Sequence, residues 1–203
     1  MKKIVILILL FIIYTILVCF FPQVTNFDTE IIICLQSKFR NIPSFIPVLM
    51  DCKVYSALIA LPVIACFIFF FRRYLLIDII LFCSSPLAAY LLNIFIKNIV
   101  RRPRPPLELQ IVVQPSTFSF VSSHTLITTV LWGLVIFYTN KYCRNIILKN
   151  FTVIFSMLWI LSVGLSRIWL GVHNPTDVFG GYFLGIILVY TYIKLIKLIG
   201  GKC

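Results

Sequence analysis

Three polar side chains that can do chemistry together stand close in one stretch of the sequence, residues 166–177. They are Arg167, His173 and Asp177, and long apolar runs flank the stretch on both sides. Asn174 followed by Pro175 predicts a helix start, which would put His173 and Asp177 on one face. A carboxylate beside the Nδ1 atom of a histidine fixes the tautomer and leaves Nε2 free to attack. Because an arginine fork suits phosphate, the stretch predicts phosphoryl transfer at a histidine.

Each of these residues also has a simpler interpretation. Asp177 could be a first-turn acid stabilised by the helix dipole, and His173 could be an ordinary interfacial histidine. Charged groups at a membrane boundary are costly and usually functional, so the three residues taken together favour chemistry.

A second polar segment, residues 97–105, carries the cations Lys97 and Arg104. Pro103 and Pro105 bracket Arg104 and hold it in extended backbone. Two cations on a stiffened segment can bind a phosphate from different directions. The simpler interpretation is a basic cluster that flanks a membrane span.

A third polar segment, residues 118–124, ends in His124. Ser122 or Ser123 is predicted to cap the helix that follows, and the free N–H groups of a helix start bind anions. His124 lies one step inside, where it can give a proton to a leaving oxygen. A serine cap with a boundary histidine is the simpler interpretation, but both histidines of the sequence fall in these polar segments.

The elements around these segments are those of a membrane protein. Of 203 residues, 61% are hydrophobic and only 12% are charged, where a soluble domain is about a quarter charged. The net charge of +12 fits basic loops at a membrane and an anionic substrate. We expect no nucleic-acid partner, because no P-loop, zinc-finger spacing or basic segment interleaved with aromatics is present. The seven cysteines follow no metal-binding pattern.

The hydropathy pattern predicts an all-α fold, a six-transmembrane-helix bundle with a short interfacial helix in the first external loop. The predicted interfacial helix covers residues 29–39. The predicted spans cover residues 4–21, 54–71, 74–96, 124–138, 151–170 and 178–195.

Lysines and arginines outside the polar segments concentrate on the side of the two termini. The positive-inside rule makes that side cytoplasmic, and the three polar segments then share the external face of a bacterial-type inner membrane. Cys34 and Cys52 fall in one external segment, and whether they pair stays open.

The order of these motifs resembles the type 2 phosphatidic acid phosphatase superfamily, which includes vanadium haloperoxidases, and in particular its bacterial membrane lipid phosphatases. The matching residues are Lys97-x6-Arg104-Pro105, then Ser122-Ser123-His124, then Ser166-Arg167-x5-His173-x3-Asp177. The resemblance implies that His173 is the nucleophile, Asp177 orients it, and His124 is the general acid and then the base. It also implies that phosphate is bound by Lys97, Arg104, Ser122, Ser123 and Arg167.

One motif departs from the family pattern. Its usual Pro-Ser-Gly-His reads Val121-Ser122-Ser123-His124 here. Losing proline loosens a helix start, and losing glycine puts a Cβ where backbone approaches phosphate. No charged group is lost, so the enzymatic interpretation stands.

The resemblance implies a membrane lipid phosphatase that needs no metal or other cofactor and forms a phosphohistidine, built as one domain over residues 1–203. Candidate substrates are of the undecaprenyl pyrophosphate, phosphatidylglycerophosphate or phosphatidic acid class. Arg101 and Arg102 add charge beyond the motif and favour more than one phosphate. The alternatives are a lipid A phosphatase, a lipid-to-lipid phosphotransferase and, more remotely, a non-catalytic channel or transporter. The expected partners are the lipid substrate and the bilayer, with no obligatory protein partner.

Overall fold

The computed structural model describes residues 2–40, 76–112 and 117–199. These residues form six α-helices and one 3₁₀ turn, with no strand among them, and the all-α prediction is confirmed. The elements are α1 (Lys2–Phe20), α2 (Pro22–Lys38), α3 (Leu76–Val100), the 3₁₀ turn (Leu107–Leu109), α4 (Ser123–Tyr142), α5 (Ile146–Trp169) and α6 (Pro175–Ile199).

Four of these helices, α1, α3, α5 and α6, are long and apolar enough to cross a membrane. The chain is therefore a multi-pass membrane protein. The predicted span 54–71 and Cys52 lie outside the described residues.

Helix α4 is the centre of the bundle and packs against α6, α5 and α3. It is less hydrophobic than its neighbours because buried threonines line it, and their hydroxyls bond back to the helix. Thr128 donates to the His124 carbonyl at 2.6 Å, and Thr129 donates to the Thr125 carbonyl at 2.7 Å. The close approach of α6 depends on Gly181, where a Cβ would lie 3.0 Å from the Ser122 carbonyl oxygen. This contact brings the first turns of α4 and α6 together.

Helix α2 begins earlier than the predicted interfacial helix, with Pro22 in its first turn, a position where proline's fixed φ suits a helix. Its Ile32 is fully buried and packs with Ile168 and Val178. Asp28, on the same helix, is fully buried too. Helix α2 therefore covers the ends of α5 and α6.

The turn between α5 and α6 is fixed from two sides. Gly171 has φ +67°, and a Cβ there would lie 1.9 Å from the carbonyl oxygen of Leu109, so the turn requires glycine. The Gln36 amide of α2 donates to the carbonyl oxygens of Leu109 at 2.8 Å and Trp169 at 2.9 Å. His173 follows within this braced turn.

Candidate active site

His173 lies just before α6 and is only 2% exposed. Its Nδ1 is 3.9 Å from Oδ2 of Asp177, which is too far for a hydrogen bond. The hydroxyl of Ser119 lies between them, 3.3 Å from His173 Nδ1 and donating to Asp177 Oδ2 at 2.5 Å. The predicted direct contact of carboxylate and imidazole is therefore replaced by a contact through a serine.

This arrangement selects one tautomer of His173. Since the Ser119 proton goes to Asp177, the serine oxygen is free to accept the proton on Nδ1. Nε2 then carries the lone pair and can act as a nucleophile. Sequence reasoning missed Ser119. The one available signal was a serine between Phe118 and Phe120 in a segment already singled out for its chemistry.

Cations surround His173. Burial holds the pKa of His173 well below its usual value, and the nearby charges of Arg104, Lys97, His124 and Arg167 lower it further. The imidazole is therefore neutral at neutral pH, as a nucleophile must be. The fold thus brings these predicted residues of the three segments close enough to His173 for their charges to act on it.

Arg104 and Arg167 are held by the protein itself. The Arg104 guanidinium donates to the Thr117 carbonyl at 2.9 Å, the Thr117 hydroxyl at 2.9 Å and the Val172 carbonyl at 2.6 Å. Remaining N–H groups of the fork can still bind phosphate. Arg167 is fully buried in the last turn of α5, where its Nε donates to the Ser166 hydroxyl at 3.2 Å.

The first turn of α4 offers backbone donors. Ser122 occupies the N-cap position as predicted, but its side chain makes no capping hydrogen bond. Its hydroxyl instead accepts from Thr125 at 3.0 Å, and its N–H donates to the Asp177 carbonyl at 3.1 Å. Half-buried Ser123 and His124 follow, at a helix start whose N–H groups suit an anion.

The departure at Val121 is compensated by tertiary contacts. Val121 is fully buried, and its carbonyl oxygen accepts from the Asn93 amide at 3.0 Å. Phe120 is also fully buried, and its ring lies against Gly180 of α6. The start of α4 is therefore held without a proline.

The expectation that Arg102 adds charge for the substrate is wrong. Arg102 is 6% exposed and forms ion pairs with Asp177 at 2.6 Å and Asp28 at 2.8 Å. Arg101 is exposed, and its Nε donates to the Asn98 carbonyl at 3.0 Å. The argument from Arg102 for more than one phosphate no longer holds.

Comparisons with known proteins point to one family. The model of the PAP2 superfamily matches residues 78–199. The phosphatidylglycerophosphatase B of Bacillus subtilis (strain 168) is 31% identical over 102 residues, which are 49% of this chain and 49% of that relative. The chain thus matches about half the length of this curated relative. A crystal structure of a transmembrane PAP2-type phosphatidylglycerolphosphate phosphatase from Bacillus subtilis superposes with a TM-score of 0.75 at 27% identity, over 98% of each chain.

Proposed function

Because the chain belongs to the PAP2 superfamily, we propose that it is a membrane lipid phosphatase that works through a phosphohistidine. The observation that carries this proposal is the buried His173, held by Ser119 through Nδ1 and surrounded by cations. A neutral imidazole with a free Nε2, next to fixed positive charge, is suited to attack a phosphorus atom.

The proposed reaction has two steps. In the first, Nε2 of His173 forms a bond to phosphorus while the bond from phosphorus to the leaving oxygen breaks, and His124 protonates that oxygen. In the second, His124 takes a proton from water, the water oxygen bonds to phosphorus, and the bond to Nε2 breaks. Lys97, Arg104 and Arg167, with the N–H groups of Ser123 and its neighbours, stabilise the charge on the phosphoryl oxygens.

Phosphatidylglycerophosphate is the substrate that we favour, since both relatives from Bacillus subtilis are named for it. Phosphatidic acid and undecaprenyl pyrophosphate remain candidate substrates, because the same reaction would release phosphate from them. A lipid acceptor in place of water would make the enzyme a phosphotransferase.

Phosphate release from lipid phosphates should persist in EDTA and be inhibited by vanadate. The reason is that fixed cations replace a metal, and vanadate mimics the five-coordinate transition state. The measurement is free phosphate released by purified protein in detergent from a panel of these lipids. Loss of activity in EDTA that Mg²⁺ restores would contradict the mechanism.

Replacing Ser119 with alanine should lower kcat by about 10-fold to 100-fold, the scale of a lost hydrogen bond to a charged group. The cause would be an imidazole whose Nδ1 no longer has a partner, since Asp177 is 3.9 Å away. Substrate binding should change little, so KM should stay near the wild-type value. The matched control is Ser37→Ala, which removes an exposed hydroxyl from α2. A Ser119→Ala enzyme with wild-type kcat would exclude the bridging role.

We also propose that the site faces the outside of a bacterial inner membrane. The support is the excess of lysine and arginine on the opposite side, outside the polar segments. A reporter fused after Asn145 should therefore be cytoplasmic, and one fused after Leu107 should be external. The reverse result would move the substrate to the inner leaflet.

A further inference from the structure

A cluster of buried charge joins helix α2 to the candidate active site. Asp28 is fully buried, and its Oδ2 lies 2.8 Å from Nη2 of Arg102. The same guanidinium binds Asp177 through Nη1 at 2.6 Å. Thr176 completes the cluster, donating to Asp28 from its N–H at 3.0 Å and from its hydroxyl at 2.6 Å. Asp28 lies outside the part of the chain that the family model matches.

The charges of this cluster do not cancel. Two carboxylates share one guanidinium, which leaves one net negative charge behind His173. Without Asp28, Arg102 would pair with Asp177 alone, and the net charge of that pair would be zero. The positive charge of Arg104, Lys97 and Arg167 near His173 would then be opposed only by a pair with no net charge.

This matters when Nε2 attacks, because the imidazole ring becomes positively charged as its bond to phosphorus forms. A net negative charge next to Nδ1 stabilises that ring in the transition state, and more strongly in a buried site than in water. We propose that Asp28 is a positioning residue for the reaction, which by pairing with Arg102 leaves the charge of Asp177 acting on His173. This inference rests on the proposed phosphohistidine mechanism.

Variants that change the net charge of the cluster distinguish this electrostatic role from a purely structural one. Asp28→Asn removes one negative charge and should lower kcat about tenfold, with KM changed less than about twofold. The double variant Asp28→Asn with Arg102→Gln removes one charge of each sign and restores the net negative charge. Its kcat should return to within about threefold of wild type. If the role of Asp28 is purely structural, the kcat of the double variant should be at least as low as that of the single variant.

The measurements are steady-state hydrolysis of a short-chain lipid phosphate and vanadate inhibition, on protein that elutes as a single species in detergent. Glu30→Gln is the matched control, since it removes an exposed acid from the same helix and should leave kcat unchanged. If Asp28→Asn does not fold, the double variant still tests the inference, because a kcat reduced tenfold or more in that variant would overturn it.

Active wild-type protein with an equally active Asp28→Asn variant would overturn this inference and leave the proposed function standing. A double variant reduced tenfold or more would also overturn it. Wild-type protein that releases no phosphate from any lipid phosphate would refute the proposed function and this inference with it.

Discussion

Replacement of His173 by alanine is expected to lower kcat at least about a thousandfold, because no other group can form the phosphoenzyme. His173 is buried, and the Ser119 hydroxyl that contacts its Nδ1 bridges it to Asp177. Water cannot reproduce an imidazole held at that position. The apolar spans are untouched, so the variant should still insert in the membrane. The measurement is hydrolysis of a short-chain lipid phosphate by equal amounts of both proteins.

The control for His173→Ala is the elution and thermal stability of the variant in detergent. These should match those of Ser37→Ala, which removes an exposed hydroxyl that has no part in the proposed reaction. A His173→Ala enzyme that folds and retains more than about a tenth of the wild-type kcat would rule out His173 as the nucleophile.

Replacement of His124 by glutamine is expected to have the second largest effect. It should lower kcat about 100-fold to 10,000-fold with an alkyl phosphate as substrate. An alkoxide leaving group needs a proton, and His124 at the first turn of α4 is the proposed donor. A nitrophenolate leaving group needs none, so formation of the phosphoenzyme from p-nitrophenyl phosphate should be far less affected. Hydrolysis of the phosphoenzyme should stay slow with either substrate, because the proposed base for water is missing.

The informative measurement for His124→Gln is therefore a rapid quench with both substrates. A burst of nitrophenol followed by slow turnover is the expected result, and the phosphorylated protein should accumulate. Equal losses with alkyl and nitrophenyl leaving groups, without a burst, would contradict the acid–base role of His124.

The spacing of the polar residues was enough to predict which side chains converge. Lys97 and Arg104, His124, and Arg167 belong to three separate segments of the sequence, yet all of them influence His173 in the structure. Their types and order predicted this because each segment abuts the end of an apolar helix. The helical class was predicted from the long apolar runs of the sequence, and the structure confirms it.

The sequence could not show which residue bridges His173 and Asp177, or which carboxylate pairs with Arg102. Ser119 bridges His173 and Asp177 only because the start of α4 docks against the start of α6. Arg102 looked like a further cation for the substrate, since nothing local indicates that Asp28 reaches it. That contact depends on α2 folding back over the site. Tertiary packing, and not any local pattern, decides where such charges go.

The most direct test of the phosphohistidine is to trap it. A lipid phosphate labelled with ³²P is mixed with an excess of purified protein, denatured within one turnover and digested to peptides. The label should be acid-labile and alkali-stable, as a nitrogen-to-phosphorus bond is. It should map to His173 and be absent from His173→Ala, and once formed it should be hydrolysed more slowly by His124→Gln. A label on another residue, or phosphate release with no labelled protein at any time before turnover is complete, would contradict the proposed mechanism.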